Sequence, residues 1–175
     1  MKKRTFIPSA LSILIIIMLA SVLFSCSKNK NHTNNIVGAW KGKVLFKTGA
    51  FAEMKGWQFM WVFNEGGTMT ESSNYDGVPP TPPAYGIWKK TGDKQFKARY
   101  QFFITQLPAS FEELTKSGGF PPGGYGVLTE SITLSADGKS YNSKIVLNLF
   151  DQTGKQTAFN DEATAEAKRM EFDSK

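Results

Sequence analysis

The chain has 175 residues, of which 41% are hydrophobic and 13% aromatic, and its formal net charge at pH 7 is +6. Five basic residues lie in the first 30 positions, and from Ile36 onward 16 Lys and Arg stand against 15 Asp and Glu. The remaining charge excludes a strongly basic nucleic-acid-binding face, and about 140 residues are enough for one domain with its own core.

The first 26 residues have the layout of an export signal. Lys2, Lys3 and Arg4 precede an apolar stretch that runs to Phe24, and Ser25 is a small residue before Cys26. The apolar stretch from Ala10 to Phe24 is shorter than the roughly 20 residues that a membrane span needs. A plain secretory signal and an uncleaved anchor are the alternatives.

Leu23-Phe24-Ser25-Cys26 resembles the lipobox of bacterial lipoproteins. The resemblance implies cleavage before Cys26, lipidation of its thiol with fatty acyl chains such as palmitate, and a lipid anchor in a membrane of the cell envelope. The periplasmic face of the outer membrane is favoured over the cell surface. We therefore predict a lipoprotein signal peptide with an apolar helix over 1–25, the lipidated Cys26 and a polar linker over 26–35, and one domain over 36–175.

Apolar and polar residues alternate along most of that domain, with turn signals such as Ala136-Asp137-Gly138-Lys139 between the alternating segments. One short helix is predicted at 111–116, with Ser110 as N-cap, Glu113 completing a capping box and Gly118 as the stop. The pattern predicts an all-β domain of eight strands, β1 to β8, at 36–46, 57–63, 68–73, 84–90, 95–104, 125–134, 140–150 and 163–172.

The connections between these strands alternate between long and short. The links β2–β3, β4–β5 and β6–β7 have hairpin length, whereas β1–β2, β3–β4, β5–β6 and β7–β8 (151–162) are long. In an up-and-down meander alternate connections lie at the same end. The spacing predicts an antiparallel eight-stranded barrel whose long loops form one mouth, and a Greek-key sandwich would not predict it.

Gly38-Ala39-Trp40 resembles the Gly-x-Trp signature that opens the barrels of the lipocalins and wider calycins. In that family an arginine late on the last strand packs across the tryptophan, and Arg169 occupies the matching place. The resemblance implies a lipocalin-like barrel in which Gly38, Trp40 and Arg169 serve the fold, through a contact worth roughly 0.5–2 kcal/mol.

Large apolar side chains share faces of several predicted strands and favour a small hydrophobic ligand, as such pockets commonly have apolar walls. The alternative is a barrel filled by its own side chains. Glu130, in phase with Leu128 and Ile132, is either the polar anchor of a ligand or a carboxylate paired for structural reasons. The predicted ligand-binding residues are Trp57, Phe59, Trp61, Tyr85, Tyr100, Phe102, Leu128, Glu130, Leu147 and Leu149.

Catalytic chemistry has little support in the sequence. The single histidine, His32, falls in the linker, and the single cysteine, Cys26, would be blocked by lipid. Histidine-dependent nucleophile schemes and His-based metal or haem sites are thereby excluded. We assign no catalytic residue, metal or cofactor, although acid–base catalysis by a carboxylate or tyrosine stays open.

Two Pro-rich segments, 78–83 and 119–125, fall in the predicted long loops. Stiff Pro-rich segments are good docking surfaces for proteins, and they also keep strand edges from pairing wrongly. The second functional hypothesis is therefore an interaction module of an envelope assembly, with an envelope protein as its partner and a filled barrel.

The lipobox resemblance makes a prediction for the mature protein. We expect it to begin at Cys26 and to carry acyl mass, because cleavage and lipidation act on that residue. Intact mass spectrometry checks both points. A species that still begins at Met1, or one without acyl mass, would contradict lipidation.

Overall fold

A computed structural model describes residues 34–77 and 79–172. The predicted signal-peptide helix, Cys26 and residues 26–33 of the predicted linker lie outside the described residues. Within the described part, no helix is long and apolar enough to cross a bilayer.

The described residues form a closed antiparallel barrel of eight strands in the order β1 to β8, which confirms the predicted fold class. Every consecutive pair is hydrogen-bonded, and β8 pairs with β1 to close the circle. The strands are Gly38–Phe46 (β1), Gln58–Phe63 (β2), Thr68–Ser73 (β3), Ala84–Gly92 (β4), Gln95–Thr105 (β5), Pro122–Leu134 (β6), Ser140–Phe150 (β7) and Gln156–Arg169 (β8).

Long and short connections alternate as predicted through the first seven strands, but the last connection differs. β8 begins at Gln156, not at 163, so a turn of 151–155 replaces the predicted long loop. The Asp151 carboxylate holds this turn by accepting hydrogen bonds from the backbone N–H groups of Thr153 and Lys155. Asn160 has a left-handed φ of 53°, and the β7–β8 register shifts nearby, which breaks the alternation that marks a strand.

Three long connections therefore surround one end of the barrel, which we call the mouth, and the opposite end is the closed end. The single helix of the described residues, α1 (Phe111–Ser117), lies in the β5–β6 connection. The Ser110 side chain accepts a hydrogen bond from the Glu113 N–H, and Gly118 takes the left-handed conformation at the C-cap. The helix, its N-cap and its stop are confirmed, with one residue more at the C-terminal end, but the Glu113 carboxylate accepts the Ala109 N–H instead of the Ser110 N–H, so only the Ser110 half of the predicted capping box forms.

Arg169 and Trp40 face each other across the seam where β8 meets β1. The guanidinium carbon lies 4.2 Å from the centroid of the Trp40 ring. The same guanidinium donates hydrogen bonds to the backbone carbonyls of Val37, Asn35 and Gly138. Trp40 in turn donates its indole N–H to the carbonyl of Ile36 at 2.8 Å. One side chain thus ties both ends of the described chain to the closed end.

Large aromatic side chains fill the barrel below the mouth. Trp40 and Trp61 are completely buried, and Tyr141 packs against both rings at centroid distances of 5.0 and 5.7 Å. Phe63 and Trp88 extend the cluster toward the turn between β2 and β3. This half of the barrel is a packed core, as small eight-stranded barrels often have.

The seam contact generates a prediction about stability. We expect Arg169→Ala to lower the free energy of unfolding by roughly 2–4 kcal/mol, because it removes a cation–π contact and three hydrogen bonds from a charged donor. Urea unfolding measures the change. The control is Lys168→Ala, which alters an exposed residue of the same strand and should change the value by less than about 0.5 kcal/mol. Equal effects of the two variants would contradict the role of Arg169.

Candidate functional site

The mouth of the barrel encloses a cavity of about 360 Å³. Its walls come from the mouth ends of β1 to β7, and the β1–β2 and β3–β4 loops cover part of its rim. Pro79, Thr81 and Pro82 contribute the rim from one of the two Pro-rich segments. The volume falls in the range of small-molecule sites, which runs from about 300 to 1,000 Å³.

Small inward-facing residues leave room for this cavity. Ala84 takes the inward position at the start of β4 and lines the cavity, where a larger side chain would occupy its space. At Gly126 of β6 a Cβ atom would collide with the Phe102 ring, so the missing side chain lets that ring lie against the strand. The sequence thus places small residues opposite large ones at the mouth.

Aromatic rings form much of one wall, and Trp57 is at their centre. Its ring contacts those of Phe46, Phe51, Phe59 and Tyr75, with centroid distances from 4.4 Å for Tyr75 to 5.9 Å for Phe59. Phe51 belongs to the β1–β2 loop and Tyr75 to the β3–β4 loop, so both loops are held against the mouth by ring contacts. The indole N–H of Trp57 is buried and has no hydrogen-bond partner among the described residues.

Glu71 brings a carboxyl group to this apolar wall. It lies on β3 in phase with the buried Met69, lines the cavity and is only 7% exposed. One carboxyl oxygen, Oε1, has no hydrogen-bond partner among the described residues. Burial raises the pKa of Glu71 well above its usual value, and the nearby carboxylates of Asp76 and Glu130 raise it further.

Asp76 lies at the edge of the same cavity, but its carboxylate already has partners. It accepts hydrogen bonds from the backbone N–H of Ser73 at 2.5 Å and from the Ser73 hydroxyl at 2.6 Å. Among the described residues that line the cavity there is no Lys or Arg. The cavity is therefore apolar, with acidic residues on one side. Glu71 Oε1 is a hydrogen-bond acceptor at its wall that has no partner among the described residues.

Glu130 lies deeper in the barrel and is completely buried. The Trp61 indole N–H donates to the Tyr100 hydroxyl at 3.4 Å, and that hydroxyl donates to Glu130 Oε2 at 3.0 Å. Burial raises the pKa of Glu130 from 4.5 to about 7, while the polar groups of Ser143, Tyr100 and Trp61 limit the rise by favouring the charged form. Tyr100 thus gives the Glu130 carboxyl group a hydrogen-bond partner in the core. This arrangement corresponds to the structural role considered for Glu130.

The predicted ligand-binding residues divide into three groups. Tyr85 is 65% exposed and points away from the barrel interior, so its predicted inward position was wrong: β4 turns Ala84, Gly86 and Trp88 inward instead. Trp61, Tyr100 and Glu130 are buried in the core without lining the cavity. The residues that do line it are Trp57, Phe59, Phe102, Leu128, Leu147 and Leu149.

Several lining residues were not predicted. Glu71 carried a sequence signal, because it follows Met69 by two positions on a predicted strand and therefore shares its face. Phe51, Met54 and Tyr75 lie in loops, where strand periodicity gives no direction to a side chain. Only the folded loops show that they cover the mouth.

The described residues contain no cluster of three or more His, Cys, Asp or Glu side chains placed to hold a metal ion. Comparison with known proteins found no family model and no curated protein that matches this chain. Function is therefore inferred from the barrel and its cavity.

The buried carboxyls generate a prediction about pH. Between pH 4.5 and about 7 folded Glu130 holds a proton that the unfolded chain releases, so stability should fall as pH rises through this range. We expect a loss of about 2–3 kcal/mol from Glu130 between pH 5 and 8, and Glu71 adds to it in the same direction.

Urea unfolding across this pH range measures the loss. Glu130→Gln should reduce the slope of stability against pH and leave the part that Glu71 contributes, whereas Glu112→Gln, at an exposed position of α1, should leave the slope unchanged. A wild-type stability that rises between pH 5 and 8, or an undiminished slope in Glu130→Gln, would contradict the prediction.

Proposed function

We propose that this chain is a lipid-anchored protein of the cell envelope whose lipocalin-like barrel binds a small hydrophobic ligand at its mouth. The lipobox-like segment ending at Cys26 supports the anchor. The placement of Arg169 over Trp40, next to Gly38 at the seam, supports the likeness to lipocalins.

The cavity is the observation that carries ligand binding. The closed half of the barrel is filled by its own side chains, whereas the mouth half keeps about 360 Å³ behind an apolar wall. At roughly 30 Å³ for each water-sized group, this space holds a ligand of about a dozen non-hydrogen atoms. Two buried polar groups without partners, Glu71 Oε1 and Trp57 Nε1, are at residues that line it. Buried polar groups in proteins nearly always have partners, and a ligand would supply them.

The alternative of a protein-interaction module is favoured by a different observation. Outward-facing apolar side chains lie on the two strands that flank β3 in the barrel wall: Met60 and Val62 on β2, and Tyr85 and Ile87 on β4. Exposed apolar groups of this kind mark protein contacts when they form a continuous patch. This function concerns the outer wall and would be compatible with an occupied cavity.

Filling the cavity tests the proposal. We expect Ala84→Phe to abolish the binding of hydrophobic ligands or to weaken it by at least about tenfold. Ala84 is buried on the cavity wall, and a ring there would occupy the space of the ligand. Native mass spectrometry of the purified protein detects a co-purified compound, and titration with a hydrophobic fluorescent probe measures affinity.

Ile87→Phe is the matched control, because it adds the same ring to the same strand on the exposed outer face. Circular dichroism and thermal melting establish that both variants fold. If Ala84→Phe does not fold, Leu149→Trp at a half-buried position of the wall replaces it. A wild-type protein that is empty and binds no probe, or a filled variant that binds as well as wild type, would contradict ligand binding.

A further inference from the structure

We propose that the ligand of the mouth cavity carries a cationic amine, which binds the Glu71 carboxylate while its apolar part contacts the aromatic wall. This proposal rests on the proposed function of small-molecule binding and names the ligand's chemical class. It follows from the geometry of Glu71, from the sign of the buried charges and from the rings around Trp57.

One carboxyl oxygen of Glu71 lacks a hydrogen-bond donor. Its carboxyl group is more than nine-tenths buried at the cavity wall, and Oε1 has no partner among the described residues. An ammonium group supplies N–H donors and a positive charge together, and charge-assisted hydrogen bonds are about twice as strong as neutral ones. A hydrocarbon without a polar group would leave the oxygen unsatisfied.

The charges inside the barrel select against an anionic ligand. The charged residues that are buried in the described part of the chain are Glu71, Glu130 and Asp161, all acidic. A carboxylate ligand such as a fatty acid would place a second negative charge beside the Asp76 carboxylate, with no Lys or Arg of the described lining to receive it. Two like charges close together in a poorly solvated site repel strongly.

The rings of the wall favour a cation for a separate reason. The faces of Trp, Tyr and Phe rings carry negative electrostatic potential and attract ammonium groups within about 6 Å. Trp57, Phe46, Phe51, Phe59 and Tyr75 all line the cavity. Aromatic rings grouped around a site are a known means of binding quaternary ammonium groups, and here the Glu71 carboxyl group lies on the same cavity wall.

A matched series of probes tests the proposal. Octylamine, octanol and octanoate share one apolar chain and differ in the polar end, and each is small enough for the cavity. We expect octylamine to bind at least about tenfold more tightly than octanol, with octanoate weakest, because the ammonium forms an ion pair with the Glu71 carboxylate, whereas octanol is uncharged and octanoate adds a negative charge beside Asp76. Isothermal titration calorimetry on the full chain measures the three affinities.

Two measurements separate the contribution of Glu71 from that of the other acidic residues. Glu71→Gln should reduce octylamine affinity to about that of octanol and leave octanol binding within about twofold, whereas Glu162→Gln, an exposed acidic position at the mouth end of β8, should leave both unchanged. In wild type at neutral pH, calorimetry in buffers of different ionisation enthalpy should detect proton release on octylamine binding. The groups facing Glu71 are Asp76, Glu130, Tyr100 and Tyr141, so the difference between wild type and Glu71→Gln isolates its own proton.

The outcomes distinguish a failure of the amine proposal from a failure of ligand binding at the mouth. If octanol or octanoate binds as tightly as octylamine, the cavity binds hydrophobic molecules but the amine is wrong. If octylamine preference survives Glu71→Gln without loss, Glu71 is not the anchor and the proposal is overturned. If no member of the series binds, both the amine proposal and ligand binding at the mouth are contradicted.

Discussion

The pairing of β1 with β8 is the constraint on which the rest of the structure depends. Seven consecutive Cα partners join the two strands, from Trp40 with Arg169 to Phe46 with Ala163. A Cβ atom at Gly42 would collide with the Glu166 carbonyl across this seam, so glycine permits the close approach. Because the barrel is closed, no strand edge is left unpaired among the described strands, and every inward side chain must share one space of fixed width.

How that space is divided decides what the protein can do. Large residues at the closed end, with Trp61 and Tyr141 at their centre, fill the interior and fix the positions of the strands. At the mouth, the short side chain of Ala84 leaves space at the wall, and aromatic rings of the β1–β2 and β3–β4 loops cover part of that space. A filled barrel and a hollow barrel were the two alternatives suggested by the sequence. Each describes one half of the molecule, because packing for stability and space for a ligand occupy different ends.

The sequence predicts the barrel well because period-two alternation and turn residues are local signals. The first part of β8 was missed where Asn160 takes a left-handed conformation, since a kink of this kind breaks alternation without ending the strand. Tyr85 was placed inward with the other large side chains of the predicted strands, whereas β4 turns Ala84 and Gly86 inward. Loop residues such as Phe51 reach the cavity only through the tertiary fold, which strand periodicity does not encode.

The two buried glutamates show why position inside the barrel, and not burial alone, separates a structural group from a binding group. Both have one carboxyl oxygen without a partner among the described residues, but Glu130 lies in a packed region away from the cavity, where its other oxygen receives the Tyr100 hydroxyl. Glu71 lies where packing gives way to empty volume, and its Oε1 has no partner among the described residues. An unsatisfied carboxyl in such a place costs stability. In the protein without ligand, packing at the filled end of the barrel offsets that cost. At the mouth, a ligand that supplies the missing donor offsets it directly.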